Sequence, residues 1–251
     1  MIQTLNKHVK WRRDKKAIFV CDCKRLIDLK ISFKYESFMK KLNKGIKKEK
    51  LNKEEKKVFS DFEKINLLSK LKIRSLKEKD FENALNILDN ELGKERVRNA
   101  IFLHNKFKEF PQFFIGIFLD KDLTGIICGF PREDYLLMSE IAVDLRFHGR
   151  GFGERLVKAF EKISKKDYNK INAGAHDKAI GFYKSLGYKP FLLIQFKKED
   201  YSLEDFIGFQ IVNYNPGIIE AKVKNCNIKI IEKLRKKYPK AYFQYIFIKK
   251  L

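Results

Sequence analysis

The 251-residue sequence predicts an α/β fold, a mixed α+β sheet flanked by helices. Three observations carry that expectation. Runs with the two-residue alternation of strands are interleaved with amphipathic helical runs, and the strands include hairpins. A strand-like run ends at Asp144 and passes through Gly149, Gly151 and Gly153 directly into a helical run. A hydrophobic content of 44%, with 14% aromatic residues, fills a core and excludes a disordered chain.

Taken in order, His8–Arg13 and Ala17–Cys21 read as two short strands around a charged turn. Leu26–Ser32 alternates as a third. Phe38, Met39 and Leu42 have helical spacing and stop at Asn43, Lys44 and Gly45. A second helix is predicted over Lys53–Leu71, with Val58, Phe62, Ile65 and Leu68 on one face. Residues 1–70 therefore read as a small winged-helix-like domain. A strand at Leu71–Arg74 opens the next unit, followed by helices over Asp80–Leu92 and Lys94–Phe110. Phe113–Leu119 and Ile126–Phe130 form a hairpin across the turn at 120–125, and Tyr135–Asp144 is a third strand. Helix, strand and helix follow at about 151–165, 169–175 and 177–187. The remainder reads as strands at 188–197, 208–213 and 218–224, a basic helix at 227–237 and a last strand at 241–248.

No apolar run has signal-peptide or membrane-spanning length, so the expectation is a soluble, cytoplasmic protein with no membrane partner. Cys21, Cys23, Cys128 and Cys226 make neither a disulfide framework nor two metal-binding pairs, and all four are read as reduced thiols. The formal charge of +23 invites a nucleic-acid reading. Lysine far outnumbers arginine, however, and arginine forks dominate direct reading of bases and phosphates. Residues 1–70 hold 21 basic and 9 acidic side chains, a balance of +12, so nucleic acid or another anionic partner meets that part first.

The chemistry is concentrated in the glycine turn. Alternate glycines let the backbone approach an anion closely. Free N–H groups at a helix start, aided by the helix dipole, then form a site suited to a pyrophosphate, with Arg150 and Arg155 adding positive charge. A Rossmann loop belongs at the start of a βαβ unit, whereas this one follows several strands, and the Gly-Lys-Ser/Thr of a Walker loop is absent.

The segment Asp144 to Gly153 resembles the acetyl-CoA signature of the GNAT (GCN5-related N-acetyltransferase) superfamily, Arg/Gln-x-x-Gly-x-Gly/Ala. His148 stands at the Arg/Gln position, and Gly151 and Gly153 at the two small ones. His176 to Tyr188, with Ala179, Phe182, Tyr183 and Gly187, is similar to the family's second conserved helix, with His176 replacing the customary Asn. The resemblance covers about residues 71–200 and implies the GNAT acyl-CoA N-acyltransferase fold. It also implies acetyl-CoA as cosubstrate and direct transfer to an amine. The implied cofactor-binding residues are Ile141, Ala142, Val143, His148, Gly149, Arg150, Gly151, Phe152, Gly153, Glu154, His176, Ala179 and Tyr183. A backbone N–H at 141–143 would polarise the thioester carbonyl, and the pantetheine arm is expected between strands near 138–143 and 170–175. Tyr183 is the implied proton donor to the departing thiolate.

The general base stays open among Glu140, His176 and Asp177, and Glu133 or Asp134 offers carboxylates to a cationic substrate. The catalytic pair expected is Tyr183 and Glu140. Residues 1–70 also resemble, less specifically, the PqqD-like winged-helix domains that hold peptides along a strand edge. That resemblance implies a peptide or protein acceptor. Residues 201–251 read as a strand–helix–strand completion of the sheet that serves the substrate cleft or a homodimer interface. Their Lys233, Arg235, Lys236, Lys237 and Lys240 are read as a solvated face. The competing reading is a nucleic-acid-binding regulator that senses acetyl-CoA without turnover.

Overall fold

Side-chain alternation sets the strands of this protein, and helices are set where apolar residues recur every three or four positions. The computed structural model describes residues 1–15, 17–93, 99–175, 179–201, 210–215, 218–223 and 228–251. In chain order these form β1 (Ile2–Leu5), β2 (Val9–Arg13), β3 (Ala17–Asp22), β4 (Ile27–Ser32), α1 (Glu36–Lys44), β5 (Ile46–Lys47), α2 (Lys53–Lys64) and β6 (Leu68–Ser75). Next come α3 (Phe81–Leu92), α4 (Ala100–Glu109), β7 (Phe114–Leu119), β8 (Asp122–Pro131), β9 (Leu136–Val143), α5 (Phe152–Ser164), β10 (Lys170–Ala175) and α6 (Ile180–Ser185). The last elements are β11 (Lys189–Lys197), β12 (Gln210–Asn215), β13 (Ile218–Val223), α7 (Ile228–Lys237) and β14 (Tyr242–Lys250). No helix among the described residues is long and apolar enough to cross a membrane.

The chain forms two units, Met1–Cys128 with Glu140–Ile163, and Gly129–Ser139 with Ser164–Leu251. In the first, strands follow the order β9-β8-β7-β6-β1-β5, and β2-β3-β4 make a separate antiparallel meander. Leu5, Val9, Val20, Phe38, Met39, Leu42, Phe59 and Phe62 bury one core against the meander, α1 and α2. Leu88, Leu103, Phe107, Phe114, Phe118 and Ala142 bury another beneath α3 and α4. Reciprocal capping by Asn52 and Glu55 starts α2.

The N-terminal region differs from the sequence reading, which has no counterpart of β1 or β5. Helix α2 ends at Lys64 rather than near Leu71, because Asn66 turns into the left-handed region (φ 54°) and Leu67 bonds back to the Phe62 carbonyl at 2.9 Å. Leu68–Ser75 then alternates as β6, which pairs antiparallel with β1 and with β7. The expected junction at residues 70–71 thus falls inside one strand.

In the second unit the order is β12-β13-β11-β14-β10-β9. The C-terminal β14 lies antiparallel between β10 and β11. Parallel pairing of β9 with β10 covers three positions, from Leu136↔Ile171 to Met138↔Ala173. Tyr183, Tyr188 and Phe247 pack as one aromatic group, and Phe196, Tyr201 and Tyr238 as another.

Candidate functional site

Alternation along the end of β9 buries Glu140 and Ala142 and leaves Ile141 and Val143 half-buried. Ala142 belongs to the core beneath α3 and α4, and its carbonyl faces Gly125 of β8. Glu140 is 8% exposed. The strand ends where the Asp144 N–H donates to the Thr124 carbonyl at 3.0 Å. The Asp144 carboxylate accepts from the Arg146 N–H and side chain, and this hydrogen bonding to Arg146 holds its carboxyl below the usual aspartate range.

Phe147 and Phe152 then stack at 5.9 Å and anchor both ends of the glycine turn in the core. Phe152 was expected to bind a cofactor. Its ring is buried, so its contribution is confined to its amide. His148 donates its Nε2 hydrogen to the Val143 carbonyl at 2.6 Å and lies 3.5 Å from Glu91, a bracing of the turn that the sequence did not suggest.

Gly149 and Gly151 have φ of +74° and +72°, in the region where side chains strain the backbone. A Cβ at Gly149 would meet nothing within 4 Å, and one at Gly151 would meet only Lys44 carbons at 3.7 and 3.8 Å. Space therefore lies open above two glycines whose backbone leads into α5. The Arg155 N–H bonds to the Gly151 carbonyl at 3.2 Å, and amides ahead of such a bond are those that a helix start leaves free. Free amides beside open space are the kind of place an anion such as a pyrophosphate occupies. Gly153 lies within α5 and needs no left-handed torsion. The Glu154 amide belongs to the same first turn, while its side chain pairs with Lys158.

The loop arginines do something other than expected. Arg150 is only 4% exposed, and its Nη1 donates to the Leu5 carbonyl at 2.9 Å, with the guanidinium carbon 5.3 Å from the Phe147 ring centre. Arg155 is half-buried and donates from Nη2 to the Gly45 carbonyl. Burial depresses the pKa of both. The expectation that Arg150 presents its charge to a phosphate is corrected: its guanidinium is committed to β1. The partner lies 145 positions away in sequence, and no local pattern announces it.

In the second unit, α6 places Tyr183 in an aromatic stack on Phe247, 4.8 Å between ring centres, and its hydroxyl donates to the Met138 sulfur at 3.8 Å. Tyr183 is 4% exposed, and burial pushes its phenol up to about 12. It is therefore a protonated donor at neutral pH. Ala179 immediately precedes α6 and is half-buried. His176 and Asp177 lie outside the described residues. Glu133 is exposed, and Asp134 pairs with Lys170 at 2.6 Å, which lowers its pKa. Among the described residues no group of three or more His, Cys, Asp or Glu side chains could hold a metal ion.

Residues 72–188 match the model of the acetyltransferase (GNAT) family. No curated protein matches the chain. Similar solved structures include Ard1 from Thermoplasma volcanium, at 19% identity and TM-score 0.44, covering 62% of this chain and 99% of that one. A putative acetyltransferase from Pyrococcus horikoshii is similar at 13% identity and TM-score 0.47, with 72% and 89% covered. Arabidopsis thaliana Naa50, solved with a bisubstrate analogue, is similar at 16% identity and TM-score 0.42, with 62% and 99% covered.

Proposed function

Residues 72–188 belong to the acetyltransferase (GNAT) family, and from that premise we propose that this chain transfers the acetyl group of acetyl-CoA to the nitrogen of a primary amine. The observation that carries the reading is the open space over the left-handed Gly149 and Gly151 ahead of α5, which suits the donor's pyrophosphate. Acetyl-CoA supplies a thioester, whose acyl carbon the amine attacks and whose sulfur leaves as a thiolate.

The chain's own groups then divide the work. Backbone amides of the loop and of the first turn of α5 hold the anion, and the end of β9 offers backbone groups to the arm of the donor. Tyr183, kept protonated by burial, gives its proton to the leaving sulfur. Glu140, the carboxylate of β9, is the proposed base that relieves the amine of its proton. The regulator reading depends on unpaired cations in residues 1–70. Lys34, Lys40, Lys41 and Lys48 there pair with carboxylates, but the balance of +12 remains, and nucleic-acid binding that needs no cofactor and weakens steeply with salt would favour the regulator.

Calorimetric titration with acetyl-CoA tests the proposal, comparing wild type with the Gly151→Glu, Gly153→Glu double variant. Micromolar binding that disappears in the folded variant, and thiol release when amine-bearing peptides or small amines are added, are the expected results. A folded wild type that does not bind acetyl-CoA overturns the reading.

A further inference from the structure

The glycine turn contains Arg146 and Arg150, and Arg155 follows on α5; all three are turned to other work, Arg146 pairing with the Asp144 carboxylate. Arg150 holds the Leu5 carbonyl from a buried position, and Arg155 holds the Gly45 carbonyl. A helix start presents only about half a positive charge. A doubly charged pyrophosphate placed there calls for a full cation nearby, and none of these three arginines supplies one free of another partner.

The cation beside the loop comes from elsewhere in the chain. Lys44 is the last residue of α1, and its Cγ and Cδ lie 3.7 and 3.8 Å from the point where a Cβ on Gly151 would sit. Its stem therefore runs alongside Gly151, with the ammonium two bonds beyond Cδ. Its charge also reaches the first turn of α5. The Glu154 carboxyl is held low chiefly by its hydrogen bond to Lys158, and the cations of Lys44 and Arg155 add to the effect. Lys40, Lys41 and Lys48 pair with Glu36, Glu55 and Glu63, whereas the exposed Lys44 makes no ion pair among the described residues.

The position of Lys44 is fixed rather than incidental. The next residue, Gly45, has φ +90°, and a Cβ on it would come within 2.9 Å of Leu71, so only glycine ends α1 in this way. The Gly45 carbonyl is the one that Arg155 grips. An arginine on α5 thus ties down the residue that follows Lys44.

We propose that Lys44, outside the family-matched segment, supplies the cationic grip on the phosphates of acetyl-CoA that the loop arginines do not. The inference rests on the acetyltransferase reading and adds to it a residue of the N-terminal region. A lysine at a helix C-terminus also favours the helix dipole, so the test must separate affinity from stability.

Calorimetry on the full-length protein would compare CoA with S-acetylpantetheine, which lacks the phosphates, for wild type and for Lys44→Ala, Lys44→Glu and Lys44→Arg. Melting temperatures would be recorded alongside. The expected result is CoA affinity about tenfold weaker for Lys44→Ala and weaker still for Lys44→Glu, with Lys44→Arg near wild type. S-acetylpantetheine affinity should stay unchanged, the melting temperature should fall by no more than about 4 °C through the lost dipole contact, and the salt dependence of CoA binding should flatten in Lys44→Ala. Wild-type CoA affinity in Lys44→Glu overturns the proposal and leaves the acetyltransferase reading standing, as does an equal loss of both ligands. A folded wild type that binds no CoA sinks both.

Discussion

Replacing Arg150 by methionine separates a structural arginine from a phosphate-binding one. The substitution keeps an unbranched stem against Phe147 and removes the guanidinium that donates to the Leu5 carbonyl at 2.9 Å. A hydrogen bond involving a charged group contributes about 1.5–3 kcal/mol. Release of a desolvated charge works in the opposite direction and trims that figure. The net loss expected is about 2 kcal/mol. Chains of this size lose about 2–4 °C per kcal/mol, so the melting temperature should fall by about 4–8 °C. Acetyl-CoA affinity, measured by calorimetry well below the transition, should stay within about twofold of wild type. Scanning calorimetry and the titration together decide the matter. An unchanged melting temperature with affinity weakened tenfold or more would refute the reasoning, because the guanidinium would then be serving the ligand.

Tyr183→Phe removes the proposed acid and its weak bond to Met138; steady-state assays should show kcat down by about a hundredfold with CoA affinity preserved, and an unchanged kcat would remove Tyr183 from the mechanism. Asp80 accepts from Arg74 at 2.7 and 3.2 Å and from the Lys77 N–H at 2.8 Å, and the Arg74 hydrogen bonds hold its carboxyl below the usual aspartate range. Because the folded pKa is depressed, the stabilisation is complete above the unfolded value of about 3.9 and is lost as pH falls through the folded value. Asp80→Asn should therefore cost about 2 kcal/mol in urea melts at pH 7, with the gap narrowing below about pH 4. Gly116→Ala puts a Cβ 2.6 Å from both Leu123 and Leu76 and 2.8 Å from Phe118 in a packed interior, and should cost about 2 kcal/mol or more. Gly174→Ala meets only the movable Gln244 amide, at 2.6 Å, and should cost less than half as much in the same melts.

Most of the element list was legible because it depends on local periodicity. The strand β9, the turn through Gly149 and Gly151, and the helix α5 were all readable, since glycine at a left-handed position and an amphipathic run leave a mark within ten residues. The end of α2 was not. Ile65 and Leu68 continue the helical spacing of Val58 and Phe62, and only Asn66 marks the reversal. Strand β1 was also missed, because a four-residue strand is defined by pairing with β6, more than sixty residues away. Within the candidate site, the glycines could be read for their backbone role. Side-chain allegiances could not. Whether Arg150 faces an anion or Leu5, or Lys44 lies against Gly151, depends on long-range packing that leaves no trace in spacing.

Strand β6 carries a consequence for anyone who would shorten this chain. A cut at residue 72, where the family match begins, would remove β1 and half of β6 itself. It would leave β7, apolar and buried along its whole length, with a ragged neighbour and an open row of amides. Such a margin recruits strands from other molecules. In the intact chain the margin ends in β5, two residues long and bearing Lys47, too short and too charged to template a stranger. The N-terminal region thus acts as a selvedge: it finishes the cloth, and a trimmed protein should fray into aggregates before its chemistry can be measured.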